Sequence, residues 1–80
     1  MSKEITEEEF HNEILTKGVD SFVGQEVILS DKGNEYTNGM IIELKPLKEK
    51  FSLYFLDDKG DRKLVSVIGK PYGIVVYKFR

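Results

Sequence analysis

The C-terminal stretch "GKPYGIVVYKFR" constrains the fold more than any other part of the chain. Ile74, Val75, Val76, Tyr77 and Phe79 place apolar groups on both faces of any strand formed there, because successive side chains in a strand point to opposite faces. An antiparallel strand usually buries only one face. We therefore expect a second layer, supplied by this chain or by a partner protein, to cover the other face.

Length and composition favour one small ordered domain, residues 1–80, with 40% hydrophobic and 32% charged residues. The absence of cysteine excludes disulfides and a thiol nucleophile and favours a reducing, cytoplasmic location. The acidic start "MSKEITEEEF" is not typical of a signal peptide, and no apolar run of about 18 residues predicts a membrane span. We expect a cytoplasmic protein that makes no membrane contact.

The charge is uneven along the chain. Residues 1–20 hold two lysines and six acidic residues, a net charge of −4, and the remaining sixty residues carry +2. The simpler interpretation is a solvated acidic helix face. The alternative is an acidic contact surface for a basic partner.

The segment "ITEEEF" predicts the start of a helix. Thr6 is the expected N-cap, with Glu9 completing a capping box and Ile5 packing on Phe10. Lys17 suits the last turn, and Gly18 suits the stop. The helix is therefore expected over about 6–17, and its short length requires a surface on which to pack.

From Val23 onward the apolar period changes to two, which predicts a sheet. Gly33 suits a turn, Gly39 suggests a kink or bulge, and Pro46 is expected to end the pairing of the second strand. The fold class is thus mainly β (α+β), an N-terminal helix followed by a strongly bent five-stranded antiparallel sheet or small barrel. The expected strands are 25–30, 35–45, 51–57, 62–68 and 73–79.

Alternation in the second strand places Met40, Ile42 and Leu44 on one face and Ile41 and Glu43 on the other. The third to fifth strands carry apolar side chains on both faces. The helix can cover part of one face. An apolar surface left over after that would indicate a partner, and a second copy of the chain is the simplest one.

The segment 24–58 resembles the first motif of Sm-like proteins. "GQEVILSDKGNEYTNG" is similar to its strand, glycine turn, aromatic residue and kinking glycine, here Gly33, Tyr36 and Gly39, and "SLYFLDD" is similar to its third strand. The resemblance implies a small barrel that assembles edge to edge. Ser52 stands where the family's nucleotide-binding asparagine would be. The stretch "FVGQEV" and the turn that follows it also resemble SH3-like barrels, including the PRC type.

No catalytic constellation is apparent. His11 is the only histidine and is expected to be a surface or partly packed helix residue. Asp57, Asp58 and Asp61 do not have the spacing of a calcium loop, and a solvated turn is expected there. "GKPYG" lacks the spacing of a phosphate-binding loop. We expect no enzyme activity, cofactor, metal or small-molecule substrate.

The sequence favours a non-enzymatic binding module that acts through protein–protein contacts, either with another protein or with a second copy of itself. The candidate interface residues are Phe10, Ile14, Tyr54, Leu56, Val75, Tyr77 and Phe79.

The alternative is binding of single-stranded RNA or DNA, because basic and aromatic side chains on a small barrel can neutralise phosphates and stack on bases. The candidate residues for this function are Lys63, Lys70, Tyr72, Lys78 and Arg80, with Tyr54 as a further stacking platform.

Overall fold

The computed structural model describes residues 3–31, 36–71 and 75–79. The predicted turn at Gly33, the candidates Tyr72 and Arg80, and Ile74 of the predicted fifth strand lie outside these residues. The elements in chain order are β1 (Lys3–Thr6), α1 (Glu7–Lys17), a 3₁₀ turn (Val19–Ser21), β2 (Glu26–Asp31), β3 (Tyr36–Leu47), β4 (Lys50–Asp57), β5 (Arg62–Ile68) and β6 (Val75–Phe79).

The described strands form one antiparallel sheet in the order β1-β6-β2-β3-β4-β5. The prediction of five strands was wrong, because Lys3–Thr6 adds a sixth by pairing with β6 from Lys3↔Phe79 to Thr6↔Val76. The four residues of β1 contain one apolar side chain, Ile5, which is too short a pattern to show a period of two. The sheet does not close into a barrel within the described residues, since β1 and β5 remain its two edges.

Helix α1 begins and ends as predicted. The Thr6 hydroxyl accepts a hydrogen bond from the Glu9 N–H at 3.2 Å, and the Glu9 carboxylate accepts one from the Thr6 N–H at 2.9 Å. Hydrogen bonding of the Glu9 carboxylate to the Thr6 backbone, and next to the Thr6 side chain, lowers the pKa of Glu9. Gly18, with φ of 91°, ends the helix. No helix in the described part of the chain combines the length and apolar character that a membrane span requires.

The helix packs on the concave face of the sheet. Phe10 is fully buried, and its ring lies 4.5 Å from that of Tyr77, 5.1 Å from that of Phe22 and 5.2 Å from that of Phe79, measured between centroids. Ile14, one turn further along α1, is also buried. The inner face of β6 is therefore covered by this chain's own helix.

The faces of β3 differ from the prediction because of a bulge. The pairing with β4 shifts by one residue between Ile41 and Glu43, so Ile42 is the extra residue. Ile41 and Leu44 are consequently both buried, although they are an odd number of positions apart. A regular strand would have placed them on opposite faces.

Gly39 and Pro46 also differ from their predicted roles. Gly39 lies in regular pairing with Asp57, and a Cβ atom there would collide with the Leu56 carbonyl oxygen and the Phe55 ring. Close approach of β4, not a bulge, therefore explains this glycine. Pro46 does not end the ladder, since it pairs with Phe51 and β3 continues to Leu47.

A candidate protein-binding edge

A buried glutamate ties α1 to the sheet. Glu7 is 2% exposed, and its two carboxylate oxygens accept hydrogen bonds from the N–H of Ile68 at 2.6 Å and of Val75 at 3.2 Å. These donors lie at the end of β5 and the start of β6. The first residue of the helix thus fixes both strand ends against α1.

The bond to Glu7 shows which way the backbone of β5 is oriented. The Ile68 N–H points to Glu7 and so away from β4. The pairing of β5 with β4 is unbroken from Lys50↔Ile68 to Leu56↔Arg62. Since backbone groups alternate in direction along a strand, the N–H groups of Leu64 and Ser66 also point away from β4.

These outward groups form a free edge. In the described residues no strand pairs with β5 on that side, and no hydrogen bond reaches the N–H of Leu64 or Ser66. A row of unpaired backbone donors and acceptors is a template for another strand. We call the stretch Arg62–Ser66 the β5 edge.

An apolar cluster flanks the β5 edge on the convex face of the sheet. Leu64 is 62% exposed and pairs with Tyr54, and Met40 pairs with Leu56, two residues further along β4 on the same face. Tyr54 and Leu56 are half-buried, and Met40 is exposed. We call these four residues the outer patch.

Apolar side chains flank the β5 edge on the concave face as well. Val65 pairs with the buried Leu53 and is only half-buried itself. On α1, the His11 ring lies 5.0 Å from the Phe51 ring, and Leu15 follows one turn later on the same flank of the helix. Leu15 is 65% exposed. A strand added to β5 would thus meet apolar groups on both of its faces.

The segment that contains the β5 edge is basic. Residues 62–70 include Arg62, Lys63 and Lys70 and no acidic residue, and Lys50 lies opposite Ile68 on β4. Lys63 forms one long ion pair, 3.9 Å, with Asp57.

The Asp57 carboxylate is already engaged with its own turn. It accepts hydrogen bonds from the N–H groups of Lys59 at 3.0 Å and Asp61 at 2.8 Å. The buried Asp57 carboxylate thus closes the turn predicted for "DDKGD", whose remaining residues are exposed.

An open groove of about 300 Å³ lies beside the outer patch. Met40 and Leu56 form part of its lining, and Glu26, Asp57 and Asp58 make the rest largely acidic. The acidic residues of this groove come from β2 and from the end of β4, where Asp57 and Asp58 follow the residue that pairs with Arg62.

Two buried polar atoms have no hydrogen-bond partner in the described part of the chain, His11 Nδ1 and the Tyr77 hydroxyl. Burial raises the pKa of Tyr77 well above the ordinary value of 10.0, and the nearby charge of Glu7 adds to the rise. The His11 ring closes over Gly69, where a Cβ atom would collide with it. The Tyr77 hydroxyl thus lies near Glu7 in the core, and the partly buried His11 ring packs against the residue that follows β5.

The structure separates the predicted interface residues into two groups. Phe10, Ile14 and Tyr77 are at most 1% exposed, and Val75 and Phe79 pack against the same core. Their apolar surface is accounted for by α1 and the sheet. Tyr54 and Leu56 lie on the outer patch, together with Met40 and Leu64, which the prediction did not include.

The described residues predicted to bind nucleic acid do not share one surface. Lys63 lies opposite the buried Phe55 on the concave side of β5. Lys78 lies on β6, on the face opposite that of the buried Tyr77, and three strands separate it from β5. At about 4.8 Å between neighbouring strands, that is roughly 19 Å. Lys70 follows the end of β5.

Comparison of this chain with known protein families, with curated proteins and with solved structures finds no match. The structure itself shows a small, mainly β fold with one N-terminal helix. Among the described residues, the β5 edge with its two apolar flanks is the feature from which we infer a function.

Proposed function

We propose that this protein is a non-enzymatic binding module that recognises another polypeptide by strand addition at the β5 edge. The observation that carries the proposal is the outward direction of the Leu64 and Ser66 N–H groups, which follows from the bond between Ile68 and Glu7. In strand addition, backbone hydrogen bonds supply affinity and alternate side chains supply specificity.

The apolar flanks support this function. An added strand would place one row of side chains beside Leu64 and the other beside Val65. Burial of apolar area contributes about 25 cal/mol per Å², so both rows would add to the binding free energy. At an edge with one apolar and one polar flank, an added strand would gain binding free energy from one row of side chains only.

The weak likeness to Sm-like proteins agrees with this mode of binding, because that resemblance implies assembly edge to edge. The partner is another protein or a second copy of the chain. Either partner would cover the apolar side chains that remain exposed on the two faces beside β5. We propose no catalytic step and no cofactor.

The test compares two substitutions at one exposed position. Ser66→Pro removes the outward N–H and puts a ring in its place, while the ladder to β4 is kept because that N–H does not point to β4. Ser66→Ala keeps the N–H and is the matched control. Both variants are expected to retain the far-ultraviolet circular dichroism spectrum of the parent.

Light scattering and affinity capture from the source cells then measure association. We expect the parent chain and Ser66→Ala to form a stoichiometric complex, or a dimer, that Ser66→Pro does not form. A parent chain that stays monomeric and captures nothing beyond what Ser66→Pro captures would contradict the proposed function.

A further inference from the structure

We infer that the occupant of the β5 edge is an extended acidic segment of a different protein, and not a second copy of this chain. This inference rests on the proposed function, since it names the partner of the same edge. Its basis is the sign and position of the charges that surround the unpaired backbone groups.

Cationic residues lie at both ends of the segment that a new strand would follow. Arg62 and Lys63 stand at its start, and Lys70 follows its end, with Lys50 on the neighbouring strand opposite Ile68. All four side chains are exposed. No acidic residue occurs from 62 to 70, and the exposed Asp61 precedes this segment in the turn before β5. A partner with carboxylates at both ends of a short apolar stretch would meet opposite charge in either direction.

Self-pairing would bring like charges together. Two copies of β5 aligned antiparallel about Leu64 would place Arg62 opposite Ser66 and Lys63 opposite Val65 of the other copy. Two arginines and two lysines would then lie within a few residues of one another, with no acidic residue of either strand between them. In this register the two Lys63 side chains are diagonal neighbours, roughly 7–8 Å apart, and their like charges repel. A field of one sign around both strands also slows association.

Lys63 adds selectivity to the edge. It occupies the concave row of β5, opposite the buried Phe55, and its ion pair with Asp57 is long at 3.9 Å. A cation that points inward at an edge strand disfavours pairing with a purely apolar strand. A carboxylate on the incoming segment would compensate that charge, because the two groups would pair where solvent is partly excluded.

The test uses two capped synthetic peptides, Glu-Glu-Val-Thr-Val-Thr-Val-Thr-Glu-Glu and its twin with the four glutamates replaced by lysines. Titration of the ¹⁵N-labelled full chain by NMR measures binding through the amide signals. We expect the acidic peptide to shift the Leu64 and Ser66 amides and to bind at least about tenfold more tightly than the basic twin. We expect its affinity to fall as salt is added.

Protein variants separate the two parts of the inference. Ser66→Pro should weaken binding of the acidic peptide about tenfold or more, while Ser66→Ala should leave that affinity unchanged. The double charge reversal Arg62→Glu with Lys63→Glu should invert the preference between the two peptides. Lys78→Glu, on β6, is the control for net charge and should leave the preference for the acidic peptide in place.

The outcomes are distinguishable from failure of the proposed function. Equal binding of both peptides, with loss in Ser66→Pro, would overturn the acidic partner and leave strand addition intact. Concentration-dependent dimers of the parent chain that Ser66→Pro does not form would also overturn the acidic partner and leave strand addition intact. They would assign the edge to a second copy. No binding of the acidic peptide up to millimolar concentration, with a monomeric chain, would overturn the inference.

Discussion

The two edges of the sheet differ in how they are finished. β1 has four residues, passes directly into α1 and has Lys3 bonded to Glu13 of that helix at 3.1 Å. β5 has seven residues, and among the described residues α1 is hydrogen-bonded to it at its last residue, Ile68, through Glu7. Among the described residues both edges lack a strand on their outer side, but the β1 edge is short and braced by the helix that follows it, whereas Arg62–Ser66 is a longer edge. The contrast teaches that length and the absence of a brace, not edge position alone, make β5 the better template for an added strand.

The largest effect on stability is expected at Phe10, where α1 packs on β6, the strand next to β1. Phe10→Ala removes a fully buried ring that contacts Phe22, Tyr77 and Phe79, and should lower the free energy of unfolding by about 3–5 kcal/mol. Leu15→Ala, on the same helix at a 65% exposed position, is the control and should change stability by less than about 0.5 kcal/mol. Chemical denaturation measures both. Equal effects of the two substitutions would contradict the assigned core.

The next effect concerns the contact that fixes the end of β5. Glu7→Gln leaves one acceptor oxygen for two buried N–H donors and should cost about 1–3 kcal/mol. Glu8→Gln, the neighbouring substitution, leaves the described hydrogen bonds to Ile68 and Val75 intact and should cost little. Denaturation gives the energies, and NMR should show the Ile68 amide as the most shifted. An unshifted Ile68 amide would remove the basis for orienting the β5 backbone.

A smaller effect is expected at the junction of β1 and α1. Thr6→Ala removes the side-chain cap and should cost about 0.5–2 kcal/mol. Thr6→Ser keeps the hydroxyl and is the matched control. The same denaturation experiment measures both. If alanine were as stable as serine, the capping box would not be what begins the helix at this edge.

The smallest effect at neutral pH is expected from Tyr77→Phe, on the strand next to β1. The Tyr77 hydroxyl is buried without a partner among the described residues, so its removal should be neutral or stabilising by about 1 kcal/mol. Because the pKa of Tyr77 is raised by burial, the folded state keeps it neutral where the unfolded state ionises. Ionisation of Tyr77 therefore leaves the free energy of unfolding unchanged below the ordinary pKa of 10.0. It lowers that free energy as pH rises above this value.

Thermal unfolding followed between pH 8 and 11 measures this difference. The parent chain should lose more stability above pH 10 than Tyr77→Phe does, since only the parent carries the buried hydroxyl. Parallel curves for the two proteins would mean that Tyr77 ionises equally in the folded and unfolded states.

Local patterns in the sequence predicted the elements well. The capping box of Thr6 and Glu9 and the stop at Gly18 depend on residues a few positions apart, and the structure confirms the helix. The five predicted strands correspond to β2–β6 with ends that differ by at most about two residues. Turn residues and a period of two are local signals, so the elements that they define can be predicted from the sequence.

The features that create the candidate site are not local. Glu7 bonds to donors 61 and 68 positions away, and nothing in "TEEEF" distinguishes it from Glu8. The bulge at Ile42 changes which face Leu44 occupies, although the alternation of β3 looked regular. The order of the strands makes β5 an edge, and this order depends on contacts between distant segments. Apolar character alone does not distinguish core from surface, and five of the seven predicted interface residues lie in the core or pack against it.

The most direct measurement is amide hydrogen exchange along β5 in the isolated chain. The account predicts an alternating pattern, with slow exchange at Lys63, Val65 and Val67, whose N–H groups point to β4, and fast exchange at Leu64 and Ser66. Ile68 should be slow as well, because its N–H is bonded to Glu7. Slow exchange at Leu64 and Ser66 comparable to that of their neighbours would contradict the free edge on which the proposed function depends.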